Sequence, residues 1–148
     1  MRPKKFSIEE VFGNIFKAAD DSSLAHCVSE DLHMGNGIAV QFKKRYGRIE
    51  ELKEQNVNVG EVAVLENNGN YIYYLVTKKN YYDKPTYHNV EKTLVNLRER
   101  CVNHKIKLLS MPRIACGLDK LDWRRILLII KKIFKDTKIK IIIYNLPS

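Results

Sequence analysis

A chain of 148 residues, 45% of them apolar, is long enough to bury one ordinary hydrophobic core and too short for two. Its 26 Lys and Arg against 17 Asp and Glu leave a net charge of +9, which suits anionic partners but also serves simple solubility. No apolar run approaches the roughly 20 residues of a membrane span, and the cysteines Cys27, Cys101 and Cys116 have no paired spacing, which argues against a disulfide framework or a zinc site.

Strand-like and helical periodicities alternate along the chain, the pattern of an α/β domain. Residues 5–12 read as a first strand ended by Gly13-Asn14. Residues 24–28 read as a second, with His26 expected as a hydrogen-bonded core residue. From Ile38 a short helix places Ile38, Ala39, Phe42 and Tyr46 on one side and stops at Gly47, and residues 48–55 add a turn or two. Residues 62–65 and 71–76 flank Asn67-Asn68-Gly69-Asn70, a hairpin signal. A polar linker over 78–85 leads to a helix over Tyr87–Asn103, with Val90, Leu94, Leu97 and Cys101 at helical spacing. An apolar strand, Leu108–Pro112, opens into a small-residue loop at 114–119. A helix over about 121–135 then turns Trp123, Ile126, Leu127, Ile130, Ile133 and Phe134 inward and Arg124, Arg125, Lys131, Lys132 and Lys135 outward. Residues 139–144 are a near-continuous apolar strand, as expected for one covered on both faces. The consistent solution is a single domain over 1–148: a mixed sheet of about six strands with helices on both faces.

In open α/β sheets, ligands gather outside the carboxyl ends of the strands, and three segments lie there. The loop at 29–37 ends at a helix N-terminus, and Gly35 and Gly37 bracket Asn36, giving either a tight turn or a backbone cradle for a diphosphate. The loop at 114–119 reads as a strand, a tight loop and a helix N-terminus, an anion site. No Lys-Ser/Thr follows it, so it is not the nucleotide-hydrolysing P-loop. Its carboxylate, Asp119, either caps the helix or does chemistry, and capping is the commoner use of such a residue. Lys78 leaves the sheet beside Lys79 after the 71–76 strand. One lysine among 26 basic residues is most simply a surface charge. A nucleophilic role requires the free amine, which desolvation or a second cation favours and a nearby Asp119 opposes. His26, His33, His88 and His104 show no metal spacing, and no Ser/His/Asp or paired-carboxylate arrangement stands out. Tyr73, Tyr74 and Trp123 fall at core periodicity, while Tyr144 either closes the sheet or stacks on a base.

Five blocks of sequence, in order and spacing, resemble a known family. They are Ser23-Leu24-Ala25-His26-Cys27-Val28-Ser29-Glu30-Asp31, Met34-Gly35-Asn36-Gly37-Ile38-Ala39-Val40, Tyr71-Ile72-Tyr73-Tyr74-Leu75-Val76-Thr77-Lys78-Lys79, Lys84-Pro85-Thr86-Tyr87 and Ser110-Met111-Pro112-Arg113-Ile114-Ala115-Cys116-Gly117-Leu118-Asp119. The likeness, from about Phe12 to Leu146, is to the macro domain, and within it to the terminal ADP-ribose protein glycohydrolases, the ADP-ribose glutamate hydrolases. It implies a three-layer α/β/α fold around a mixed six-stranded sheet, with ADP-ribose in the cleft that both loops border. By the same resemblance Lys78 is the nucleophile at the anomeric carbon of the distal ribose, and Asp119 assists ring opening and hydrolysis of the lysyl adduct. The implied ligand set is Asn14, Ile15, Ser29, Met34, Gly35, Asn36, Gly37, Ile38, Pro112, Ile114, Ala115, Cys116, Gly117, Leu118, Tyr144 and Leu146, with no metal and no cofactor.

Two departures from the family pattern stand out. Asn14 replaces the aspartate that accepts from the adenine amino group, and its carbonyl accepts without charge assistance. Ala115 replaces a loop glycine, where a methyl group narrows the pocket or excludes a positive φ. The expected partners are ADP-ribose and ADP-ribosylated proteins, with ADP-ribosylated thymidine in DNA as a second acceptor that the charge suits. The resemblance equally admits deacetylation of O-acetyl-ADP-ribose and non-catalytic reading of ADP-ribose or its polymer. With no membrane segment and no signal-peptide core after Met1, the expectation is a monomer in the nucleus or cytoplasm.

Overall fold

The computed structural model describes residues 5–117 and 119–145, so two members of the implied ligand set, Leu118 and Leu146, lie outside the described residues. The strands are β1 (Ser7–Phe12), β2 (Ser23–Ser29), β3 (Val62–Asn67), β4 (Asn70–Lys78), β5 (Leu108–Pro112) and β6 (Lys140–Asn145). The helices are α1 (Ile38–Tyr46), α2 (Ile49–Glu54), α3 (Tyr87–Asn103) and α4 (Trp123–Phe134), with a 3-10 turn at Ile15–Lys17. The strands form one six-stranded sheet in the order β1-β6-β5-β2-β4-β3. Every neighbouring pair is parallel except β3 and β4, so the sheet is mixed.

Alternation along the strands assigns each face its own core. Ala25, Tyr73, Leu75, Leu109, Met111, Ile141 and Ile143 meet α3 through Val90, Leu94, Leu97 and Cys101, and α4 through Ile126, Ile130 and Phe134. Leu24, Val28, Ile72, Tyr74 and Val76 point the other way, onto Phe42 of α1 and Leu52 of α2. Three layers result, and each fully buried leucine or phenylalanine contributes roughly 1.5–3 kcal/mol. His26 belongs to the second core, its ring stacked on Phe42 at 3.8 Å between centroids. Neither ring nitrogen has a hydrogen-bond partner among the described residues, which corrects the expected hydrogen-bonded histidine. Burial lowers its pKa to about 3, so the neutral imidazole packs as an aromatic ring.

Local chemistry accounts for most boundaries. The β3–β4 hairpin turns on Asn68 and Gly69, both at positive φ, as a two-residue type I′ turn requires. Thr86 Oγ1 accepts from Asn89 N at 3.1 Å and caps α3. Gly47, at φ +53, ends α1.

Candidate active site

Because β1, β6, β5, β2 and β4 are all parallel, their carboxyl ends share one edge of the sheet. Strand order therefore sets the order of the loops along that edge: Gly13-Asn14 after β1, Tyr144 on β6, the 113–119 loop after β5, the 30–37 loop after β2, and Lys78 at the end of β4. Four strand spacings separate the first from the last, about 19 Å. Two connected cavities occupy the edge. One, of about 720 Å³, is lined by Asn14, Ile15, Cys116 and Tyr144. The other, of about 650 Å³, is lined by Ser29, Met34, Gly35, Asn36, Lys78, Ile114, Ala115 and Asp119. Gly37, Ile38, Pro112, Arg113 and Gly117 wall both, which makes them one continuous cleft.

Lys78 and Asp119 meet in the floor of the second cavity. Nζ donates to Oδ1 at 2.8 Å, and the two side chains are only 16% and 17% exposed. The lysine is held by backbone on its far side. A register shift between Val28 and Ser29 brings Ser29 opposite Lys78, Glu30 N donates to Lys78 O at 2.8 Å, and Asp31 N donates to Lys79 O at 3.3 Å.

Asp119 does not cap a helix. The chain folds back after it, with Lys120 N donating to Gly117 O at 3.2 Å and Leu121 N to Ala115 O at 2.9 Å. Helix α4 starts only at Trp123, where Asp122 Oδ1 accepts from Arg124 N at 2.9 Å. The expected helix N-terminus directly behind the 114–119 loop is therefore corrected: the positive end of α4 belongs to Asp122. The first loop does end on a helix. Gly37, at φ +60 and ψ −146, is the N-cap of α1 and supplies no side-chain cap; Val40 N donates to Gly37 O at 3.3 Å, and the opening of the helix faces the cleft.

Inside the loops, Ser29 is buried and its hydroxyl donates to Asp31 Oδ1. Asp31 Oδ1 also accepts from His33 N at 3.1 Å, and Oδ2 accepts from Tyr81 N at 3.0 Å, so one carboxylate ties the first loop to the segment after β4. Burial opposes its charge, yet these hydrogen bonds together hold the Asp31 carboxyl below its ordinary range. Met34 is 5% exposed and anchors the glycine segment in the core. Ala115 adopts φ +61, so its methyl group does not exclude the left-handed conformation; the bond from Leu121 N helps hold it there. Such a backbone costs an alanine about 1–2 kcal/mol, and a β-branched residue suffers more. With Ala115 only 7% exposed, Ala115→Val is expected to lower stability by about 2 kcal/mol or more, read as a fall in urea midpoint at unchanged slope.

At the other end of the cleft, Asn14 Oδ1 accepts from Phe16 N at 2.9 Å and caps the 3-10 turn, which occupies one of the two lone pairs expected to face adenine. Ile15 is buried beneath it, and Tyr144 stands against Gly13. Pattern alone did not single out the bridge that closes this end. Glu10 accepts from Arg113 Nη2 at 2.6 Å, Trp123 Nε1 at 3.1 Å and Asn145 Nδ2 at 3.3 Å, and the Arg113 guanidinium lies 5.6 Å from the Trp123 ring centre. The hydrogen bond from Arg113 outweighs burial and holds the Glu10 pKa below 4.5. A depressed carboxylate stabilises above its unfolded value and loses that contribution as pH falls through the folded one. Urea midpoints of the wild type and Glu10→Gln should therefore differ at neutral pH and converge as pH drops below 4.5.

Thiol chemistry has little place here. Burial, with a smaller push from the Asp119 carboxylate, raises the Cys27 thiol to about 12, and burial raises Cys116 to about 11. Both are protonated, weak nucleophiles at neutral pH. Among the described residues no cluster of His, Cys, Asp and Glu could hold a metal ion.

Residues 25–130 match the family model described as Macro domain. The chain is 48% identical over 144 residues to an ADP-ribose glycohydrolase of Homo sapiens, OARD1, the match covering 97% of this chain and 95% of that protein. Among solved structures, the macrodomain of Thermus aquaticus DarG superposes with a TM-score of 0.84 at 21% identity, over 94% of this chain and 98% of that one. Thermosipho africanus DarTG, solved in complex with ADP-ribose, superposes with a TM-score of 0.82 at 19% identity, over 95% of this chain and 42% of that one. At these identities the two structures attest the fold.

Proposed function

The chain belongs to the macro domain family, and on that membership we propose that it is an ADP-ribosyl-acceptor hydrolase that removes ADP-ribose from glutamate and aspartate side chains of proteins. Fold alone does not carry an activity; the observation that carries this one is the Lys78–Asp119 contact of 2.8 Å at the end of a two-lobed cleft. The glycohydrolase activity named for the 48%-identical human relative supports it.

In this reading the adenosine lies between Asn14 and Tyr144. The pyrophosphate meets the amides of 35–38 and 115–117, and the distal ribose reaches Lys78. The amine forms a bond to the anomeric carbon, and the bond from that carbon to the acceptor oxygen breaks, its electron pair leaving with the carboxylate. Asp119, within hydrogen-bond reach, takes the proton that the ammonium must shed and releases it to solvent as the carboxylate product departs. The bond from the anomeric carbon to the ring oxygen then breaks, a proton passing from the lysyl nitrogen to that oxygen by way of Asp119, which leaves an imine on Lys78. With its carboxylate restored, Asp119 activates a water that adds to the imine carbon, the carbon–nitrogen bond breaks as Lys78 recovers its protons, and the sugar ring closes again. The net reaction consumes one water and yields ADP-ribose and the free side chain.

The test offers the protein a glutamate-ADP-ribosylated protein and a thymidine-ADP-ribosylated DNA side by side, with a hydride donor in a parallel sample to reduce any adduct. Release of ADP-ribose from the protein and a reduced adduct mapped to Lys78 are expected. Tight ADP-ribose binding without release from either substrate would identify a reader instead, and release confined to the DNA would replace the acceptor.

A further inference from the structure

The cleft has an exit that the ADP-ribose itself does not fill. If the nucleotide runs from Asn14 to Lys78, the acceptor leaves through the remaining mouth of the second cavity, which Tyr81, Tyr82 and Lys120 border. There the surface is aromatic and exposed: Tyr81 is 46% and Tyr82 71% exposed, while Lys78 lies in the floor below. An exposed tyrosine pair is ordinarily mobile and contributes little, but this one is built in. Asn80 and Asp83 close the turn on itself, Asp83 Oδ2 accepting from Asn80 N at 3.0 Å and from Asn80 Nδ2 at 3.1 Å. Asp31 holds Tyr81 N. The His33 ring stacks on the Tyr81 ring at 3.9 Å between centroids, and a side chain at Gly35 would collide with that same imidazole. The wall thus runs from the glycine loop across His33 to Tyr81, tied at both its ring and its backbone, with the exposed Tyr82 ring edge-on beside it.

We propose that Tyr81 and Tyr82, with Lys120 on the same mouth, form an acceptor-reading rim that selects ADP-ribosylated side chains carried in acidic peptide segments. The proposal rests on the hydrolase reading above and adds its acceptor specificity. Ring geometry favours a peptide over successive nucleobases. Base stacking along a strand needs parallel open faces, whereas one face of Tyr81 is taken by His33 and the Tyr82 ring stands at 82° to it, 5.3 Å away. What the pair offers instead is edges and hydroxyl groups suited to peptide backbone. Lys120, exposed, next in sequence to Asp119 and on the lining of this mouth, is a cation complementary to carboxylates that flank a modified glutamate.

The experiment measures wild type, Tyr82→Ser and the double variant Tyr81→Ser/Tyr82→Ser on three substrates sharing one ADP-ribosyl end. These are a glutamate-ADP-ribosylated peptide with acidic flanks, the same peptide with serine flanks, and O-acetyl-ADP-ribose, a small ester with no chain beyond the linkage. Tyr82 packs outside the core, so the single variant reports even if the double variant folds poorly. Tyr82→Ser is expected to raise KM for the acidic peptide about five-fold, with kcat and the KM for O-acetyl-ADP-ribose unchanged. The serine-flanked peptide should start with the higher KM and respond less. Equal effects on peptide and small ester, no effect on the acidic peptide, or, with thymidine-ADP-ribosylated DNA run as a fourth substrate, an effect confined to that DNA would each overturn the rim. Failure of the wild type to release ADP-ribose from any of the three would overturn the hydrolase reading first, and this proposal with it.

Discussion

Replacing Lys78 with alanine is expected to lower kcat on a glutamate-ADP-ribosylated protein by at least about 10³-fold while ADP-ribose still binds, because the nucleophile proposed above has no understudy. Lys79 is exposed and sits on the adjacent backbone position, so it cannot supply an amine from the same direction. Asp119→Asn keeps the shape and removes the proton acceptor, with an expected loss of about 10²–10⁴-fold. The side chains shield one another from water, at 16% and 17% exposure, so each single substitution also leaves a half-buried polar group without its partner. That cost would appear as lower thermal stability. Lys78→Met/Asp119→Asn, which removes both charges, should regain most of the stability and none of the turnover. Single-turnover rates, calorimetric ADP-ribose affinity and urea midpoints on the set separate the effects. Full activity in Lys78→Ala would end the lysine mechanism.

Phe42→Ala carries the largest expected effect on stability. Phe42 is fully buried, stacks on His26, meets Phe16 edge-on at 4.9 Å and approaches Tyr46 at 5.9 Å and Tyr74 at 6.5 Å. Truncation leaves a cavity among four rings, for an expected loss of about 3–5 kcal/mol in urea unfolding. Location extends the consequence to the ligand. Helix α1 has nine residues, too few to persist alone, and Phe42 is its one buried residue. Loosening α1 loosens Gly37 and the first-turn amides proposed to hold the pyrophosphate, so ADP-ribose affinity should fall at temperatures where the variant remains folded. Unchanged affinity with reduced stability would show that the first loop is held by Met34 and Asp31 alone.

Single-element features were legible in the sequence. Helix α3 lies where its apolar spacing put it, the Asn68-Gly69 turn is where the hairpin signal stood, and Gly47 ends α1. Each of these depends on residues within a few positions of one another. What was not legible depended on which strands become neighbours. From the sequence, capping was the natural use of Asp119; the fold-back between Ala115 and Leu121 removes it from the helix and delivers it to Lys78, 41 residues away. The Asp31–Tyr81 tie spans 50 residues and the Glu10–Trp123 bond 113, and no periodicity encodes either. The family resemblance named Lys78 and Asp119. Their mutual contact came from the sheet, because β2 places its loop between those that follow β4 and β5.

Strand order also dictates when the cleft exists during synthesis. β1 pairs with β6, Phe12 lying opposite Asn145, so among the described strands the earliest made waits for the latest before it has a neighbour. A nascent chain lacking β6 exposes the apolar flank of β5 and lacks the Tyr144 wall of the cleft, so it should neither bind ADP-ribose nor resist proteases. Ligand can therefore act only as a late clamp, rewarding the completed sheet and adding to its stability in proportion to the logarithm of ligand concentration.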